Sequence, residues 1–280
     1  MAPNVTAPPA TTSTGSRGTF SSRCGAQNHR DSDNVVNAPG KLNGAEHTHD
    51  YFGNTIASAL HNSDAELNAA STTCTNGDKS AYQVPNLRQL GTTEQFDLNK
   101  LGGALDGNVG KILDPVSLTI QWRGNPVSKV TPLPLDLRMQ VGDAKAAVEK
   151  GPANLVAKWT CQGFTNRITQ QYPECPGGFG LTRIFDFPSC WDGKNLDSAD
   201  HRSQVVFPDP ATGACPSGTV TIPQLRMTAV YNVPPGRSYA LDGFPAEHHN
   251  PQNDHSVLIV IMPGTLAQTA ANCINFGRTC

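Results

Sequence analysis

Apolar and polar residues alternate with a period of two in one short stretch of this chain after another, the pattern of strands with one buried face. Residues 116–122 (VSLTIQW) alternate cleanly, and 135–141 (LDLRMQV) do so up to the Gly142-Asp143 turn. Residues 155–161, 181–187, 204–207, 219–222 and 225–231 predict further strands, and 77–88 reads as a loop entering a short strand. The run 257–262 (VLIVIM) is continuously apolar, which suits a strand buried on both faces or a buried helix. Helical spacing is scarce: 55–70 predicts short helical turns, 265–274 a terminal helix, and the Gly/Asn/Asp-rich 91–115 an irregular segment. Six or more short strands with few helices predict an all-β fold, an antiparallel β-sandwich-like single domain with long loops.

Composition narrows this picture. The 280 residues include 26 Gly and 22 Pro, which favours turns, and only 16 % are charged. A net charge of −2 provides no basic field for nucleic acid or an anionic membrane, and no apolar run spans a bilayer. Eight cysteines without a paired C-x-x-C pattern predict disulfides made outside the cytosol, closed in the simplest scheme between nearest neighbours: 24–74, 161–175, 190–215 and 273–280. Residues 1–22, rich in Ala, Pro, Thr and Ser, read as a disordered tail or linker of a mature secreted chain. Residues 23–280 then form a single secreted domain of catalytic type, expected to act as a monomer.

Chemistry is densest at 188–203 (PSCWDGKNLDSADHRS), a loop with three carboxylates, a histidine, two basic residues, a tryptophan and a cysteine. Asp192, Asp197 and Asp200 are candidate acid/base groups, because like charges held close split their pKa values and glycoside cleavage uses two carboxylates. The bland alternative makes them turn caps paired with Lys194 and Arg202. His201 is a candidate acid/base or metal ligand. Upstream, an extended His47-Thr48-His49 projects both imidazoles from one face, with Asp50 beside them as a possible orienting carboxylate. His255 is a fourth histidine candidate, and Glu247-His248-His249 lies just before it. Tyr51, Tyr82, Arg88, Trp191, Asn195 and Arg202 are the candidates for stacking on or clamping a ligand.

The strings CWDGKNLDSADHRS, HTHDYFGN, GDKSAY, LRMQVGDAKA and CINFGRTC resemble the secreted domain-of-unknown-function family numbered nineteen ninety-six, found in fungi and actinobacteria. The resemblance runs from about Cys24 to Cys280 and implies an extracellular, disulfide-bonded domain of a kind that often travels with wall- or carbohydrate-binding modules. The family's polar signature falls on His47, His49, Asp192, Asn195, Asp197, Asp200, His201 and Arg202. Gln204 stands where the family pattern often has histidine, and Asp254-His255-Ser256-Val257 where many members read His-x-Asp-Phe. The resemblance implies a location and an architecture but no reaction.

These readings lead to three functional expectations. The first is a secreted enzyme that cleaves glycosidic bonds of an extracellular polysaccharide, using His49, Asp50, Asp192, Asp197, Asp200 and His201 and requiring no cofactor. The second is a metalloenzyme or metal-binding protein holding zinc, copper or manganese on His47, His49, His201 and His255. The third is a non-catalytic glycan- or wall-binding module that stacks sugars on Trp191, Tyr82 and Tyr51.

Overall fold

The computed structural model describes residues 2–45, 47–93, 108–147, 154–243 and 249–280. Among these residues the alternating segments pair into two five-stranded antiparallel sheets. The first runs, edge to edge, β1 (Thr19–Ser22), β7 (Pro115–Arg123), β14 (Gln224–Tyr231), β10 (Leu181–Asp186) and β9 (Trp159–Cys161). The second runs β2 (His29–Asp31), β3 (His49–Gly53), β4 (Ala81–Pro85), β16 (Ser256–Ile259) and β8 (Arg138–Val141).

One apolar core fills the space between them. Trp122, Phe185, Leu225 and Met227 come from the first sheet, and Phe52, Tyr82, Val84, Met139 and Leu258 from the second. The all-β sandwich inferred from periodicity is therefore the architecture of this chain, and its clearest strand is β14, where buried and half-buried residues alternate without a break. β16 is a strand buried on both faces: Leu258 enters the inter-sheet core, while Val257 and Ile259 join a second cluster with Tyr51, Val35 and Leu67 on the sheet's other side. That second cluster is roofed by residues 33–67 and by the short helix α1 (Asp64–Ala69), which opens on a Ser63/Glu66 capping box. The sheet carrying β3 and β16 is thus covered on both faces, and polar side chains on it are buried wherever the roof reaches.

Two three-stranded sheets complete the strands: β15 (Tyr239–Leu241) with β5 (Leu87–Gln89) and β6 (Lys111–Leu113), and β12 (Val205–Val206) with β11 (Cys190–Trp191) and β13 (Val220–Thr221). The terminal helix α2 (Leu266–Asn275) buries Ala270, Ala271, Cys273 and Ile274. All four disulfides join nearest neighbours: Cys24–Cys74, Cys161–Cys175, Cys190–Cys215 and Cys273–Cys280.

Three expectations need correction. Residues 19–22, read as part of a disordered tail, form the edge strand β1 paired with β7, because Phe20 buries its ring in the core. The predicted strand 155–161 shortens to β9, and 108–115, read as irregular, contains β6. The rest of that irregular segment, 94–107, lies outside the described residues, as do Glu247 and His248.

Candidate metal centre

The register of the second sheet brings three histidines together. In β3, His49 and Tyr51 share the roofed face, while Asp50 and Phe52 face the other way, as the period of two requires. His49 is opposite Pro85 of β4, and Val257 of β16 is opposite Gln83 of the same strand. Extending that pairing by two residues sets His255 in line with Pro85 on its other side. The two imidazoles meet above the proline, and His47, two residues before His49, joins them.

The three rings are 2 %, 1 % and 2 % exposed for His47, His49 and His255. His255 Nε2 lies 3.3 Å from His47 Nε2 and 3.3 Å from His49 Nε2. The opposite edge of His255 is fixed: its Nδ1 faces the Asn253 carbonyl at 2.9 Å, so Nδ1 carries the proton and Nε2 presents a lone pair. The Ala45 and Asp33 backbones push the His47 and His49 imidazoles upward, against the larger downward effect of burial. One lone pair accepts one proton, so hydrogen bonding satisfies at most one of the two 3.3 Å contacts. Added protons do not relieve the crowding either. Burial lowers His47 and His255 to about 4, and burial together with the two neighbouring rings holds His49 well below its ordinary value.

A divalent cation would relieve it. Four ligands at the metal–nitrogen distance of about 2.0–2.1 Å sit on a tetrahedron with edges of roughly 3.3–3.4 Å, the spacing His255 Nε2 already has to each of the other two. Three neutral imidazoles, that of His255 oriented by the Asn253 carbonyl, would match a catalytic zinc or copper donor set that keeps a position open. Cys24, Cys74 and Asp78 also cluster, but the two sulfurs are consumed by a disulfide.

Two buried ion pairs hold the histidine backbone in place. Asp242 accepts from the Thr48 amide at 2.7 Å and from its hydroxyl at 2.5 Å, and is itself gripped by Arg88 at 2.5 Å. Asp254, beside His255, binds Arg183, which also donates to the Pro85 carbonyl at 2.7 Å and to the Tyr231 hydroxyl at 3.0 Å. Burial opposes the Arg183 charge, but the Asp254 carboxylate more than offsets it and the net shift is upward. Each side of the site is therefore anchored by a buried carboxylate: Asp242 holds Thr48, between His47 and His49, and Asp254 directly precedes His255.

A polar cleft of about 740 Å³ opens onto His47 and His255 and is walled by Asn34, Gln140, Lys145 and residues 199–203 of the signature loop. The loop runs from β11 to β12, is tied down by Cys190–Cys215, and docks through Arg202 Nη2 onto the Gly142 carbonyl at 2.5 Å and Asp143 at 3.1 Å. Gly142 sits against the Asp254 carbonyl and His255 with φ +70°, where a Cβ would lie 2.1 Å from that oxygen. The loop and the HTH segment thus border one cleft, His201 on its wall and His47 at its base. His201 takes a left-handed φ of 54° and sets Nδ1 against the Asp197 carboxylate at 2.8 and 3.0 Å.

Several candidate residues have other roles. Asp50 does not orient His49: it lies on the opposite sheet face, and Arg30 offsets part of the upward push of burial on its carboxyl. Tyr51 and Tyr82 are fully buried and Arg88 nearly so, which removes them as sugar platforms or clamps. Asp192 caps a turn, accepting from the Lys194 and Asn195 amides at 2.9 Å and the Asn195 side chain at 2.7 Å. Trp191 packs on the core and donates to the Asn195 carbonyl at 2.8 Å. Asp200 reaches the cleft wall, but the Ser203 amide and then the Ser198 hydroxyl hold its carboxyl well below the carboxylate range. His201 bonds to Asp197 and is not one of the three clustered rings. Sequence reasoning missed Asp242, Asp254 and Arg183. Only the adjacency of Asp254 to His255 offered any signal.

Fold and site together define a disulfide-bonded β-sandwich with a histidine-floored cleft. The chain belongs to the family described as "Domain of unknown function (DUF1996)", whose model matches residues 33–254 and so takes in His47, His49 and the loop, ending one residue before His255. No curated protein and no solved structure matches the chain.

Proposed function

We propose that this protein is a metal-dependent hydrolase of an extracellular polysaccharide, with one zinc or copper ion held by the Nε2 atoms of His47, His49 and His255. The observation that carries this reading is the convergence of three buried imidazole nitrogens, His255 Nε2 at tetrahedral spacing from the other two, beside a cleft that His47 and His255 line. A bound ion there supplies Lewis acidity and a water of lowered pKa. His201, with Nδ1 held by Asp197 and its other nitrogen available to the cleft, is the group placed to give or take a proton. The two-carboxylate mechanism has less support, because Asp192 and the Oδ1 of Asp200 already serve as turn caps. Secretion is supported by four disulfides, and among the described residues no helix is long and apolar enough to cross a membrane. Elemental analysis of protein purified without chelator should find close to one equivalent of zinc or copper, and chelation should abolish release of reducing ends from a polysaccharide panel. Protein with neither metal, and whose melting is indifferent to chelator and to added zinc or copper, would sink the reading.

A further inference from the structure

Gln140 stands one row inward from the histidines on the same sheet face. β8 pairs it with Val257, and cross-strand partners share a face, so its side chain lies on the His255 side while Met139 and Val141 enter the inter-sheet core. It lines the cleft together with His47 and His255, yet is only 7 % exposed. Its amide nitrogen is directed at the Gly142 carbonyl at 3.4 Å, which sets the amide orientation, since the reverse would oppose two oxygens. The remaining atom, Oε1, is buried and accepts no hydrogen bond from any described residue.

A buried amide oxygen without a donor is costly, and an apolar side chain of the same shape removes that cost. Packing alone therefore favours methionine at this position. The oxygen becomes satisfied only when the cleft is occupied by something that carries a hydrogen-bond donor.

We propose that Gln140 Oε1 accepts a hydrogen bond from the group at the open coordination position of the three-histidine centre, a water or a substrate hydroxyl, and so makes the site select donor-bearing ligands over donor-free anions. The proposal rests on the metal reading above. Gln140 is a positioning residue: it holds no metal, and it turns the incoming oxygen by its hydrogen while the negative end of its amide dipole disfavours bare anions.

The test uses full-length protein loaded with cobalt(II), titrated through its visible bands with acetohydroxamate, which carries a donor, and with thiocyanate, which carries none. Gln140→Met should weaken acetohydroxamate by about 3- to 10-fold, the worth of one ordinary hydrogen bond, and tighten thiocyanate. Gln140→Glu keeps an acceptor and should retain acetohydroxamate while weakening thiocyanate. The metal-free Gln140→Met protein should melt at or above the wild-type temperature. Equal changes for both probes, or a clearly lower melting temperature for the methionine variant, would overturn the role of Gln140 while cobalt bound at one equivalent leaves the metal reading standing. Failure of the wild type to bind cobalt would overturn both.

Discussion

The signature loop and the histidine row are opposite solutions to placing polar groups. In the loop, Asp192 and Asp200 sit near solvent, both oxygens of Asp192 and the Oδ1 of Asp200 met by amides and hydroxyls two to three residues away. In the row, His47, His49 and His255 are buried, and the one Nε2 lone pair of His255 faces two other Nε2 atoms at 3.3 Å and can accept from only one of them. The first region is dense in chemistry and largely capped from within; the second is sparse and crowds three nitrogens together. Buried nitrogens crowded beside a cleft are the better pointer to a ligand, because clusters of buried titratable groups concentrate at functional sites.

If this contrast is right, the two regions must respond differently to perturbation. The largest effect belongs to the anchors of the row. Asp254→Ala strands the buried Arg183 guanidinium and should cost about 3–5 kcal/mol of stability, measured by denaturant unfolding; under 1 kcal/mol would mean that the pair is not what holds His255.

Acidification gives the next effect. His47 and His255 titrate near 4 in the folded protein and near 6.5 when unfolded. The unfolded chain thus takes up protons first as pH falls, and the stabilisation present above pH 6.5 is lost down to about pH 4, on the order of 3 kcal/mol for each ring. Asp200, whose carboxyl is held low by the Ser203 amide, contributes the other way in range: its share is intact above the unfolded carboxylate value and is lost only below it. Chelated protein followed by urea unfolding from pH 7 to 3 should show two separate declines. A flat curve from 6.5 to 4 would break the contrast.

The smallest effect belongs to the loop. Asp192→Ala removes a solvent-side turn cap and should cost less than about 1 kcal/mol, with metal content by elemental analysis unchanged. Loss of the ion in this variant would show that the loop is coupled to the centre more tightly than its hydrogen bonds indicate.

Much of this was legible in the chain itself. Strands β7, β10, β14 and β16 announced themselves by alternation or by a continuous apolar run, α2 by its spacing, and the crosslinks by an even set of cysteines closed between neighbours. The one-face projection of His47 and His49 follows from the period of two. That same period should have warned against Asp50 as their partner, since it belongs to the opposite face. Core burial is the usual fate of an aromatic such as Tyr82, but what covers these side chains is distant in the chain: residues 33–67 roof Tyr51, the first sheet packs on Tyr82, and Arg88, on β5 of a separate sheet, is buried against Asp242.

Sequence by itself therefore determined most of the strands, the presence of disulfides, the family and the pair His47/His49, and suggested nearest-neighbour crosslinks that the structure bears out, all of which depend on residues close along the chain or on local pattern. Only the tertiary structure decided that His255 completes the pair, that Asp242 and Asp254 anchor it, and that the signature loop contributes the wall of the cleft. The reason is physical: His47 and His255 stand 208 residues apart, and their meeting is set by how β3, β4 and β16 pair, a choice made by the packing of the whole sandwich and by no local stretch of it.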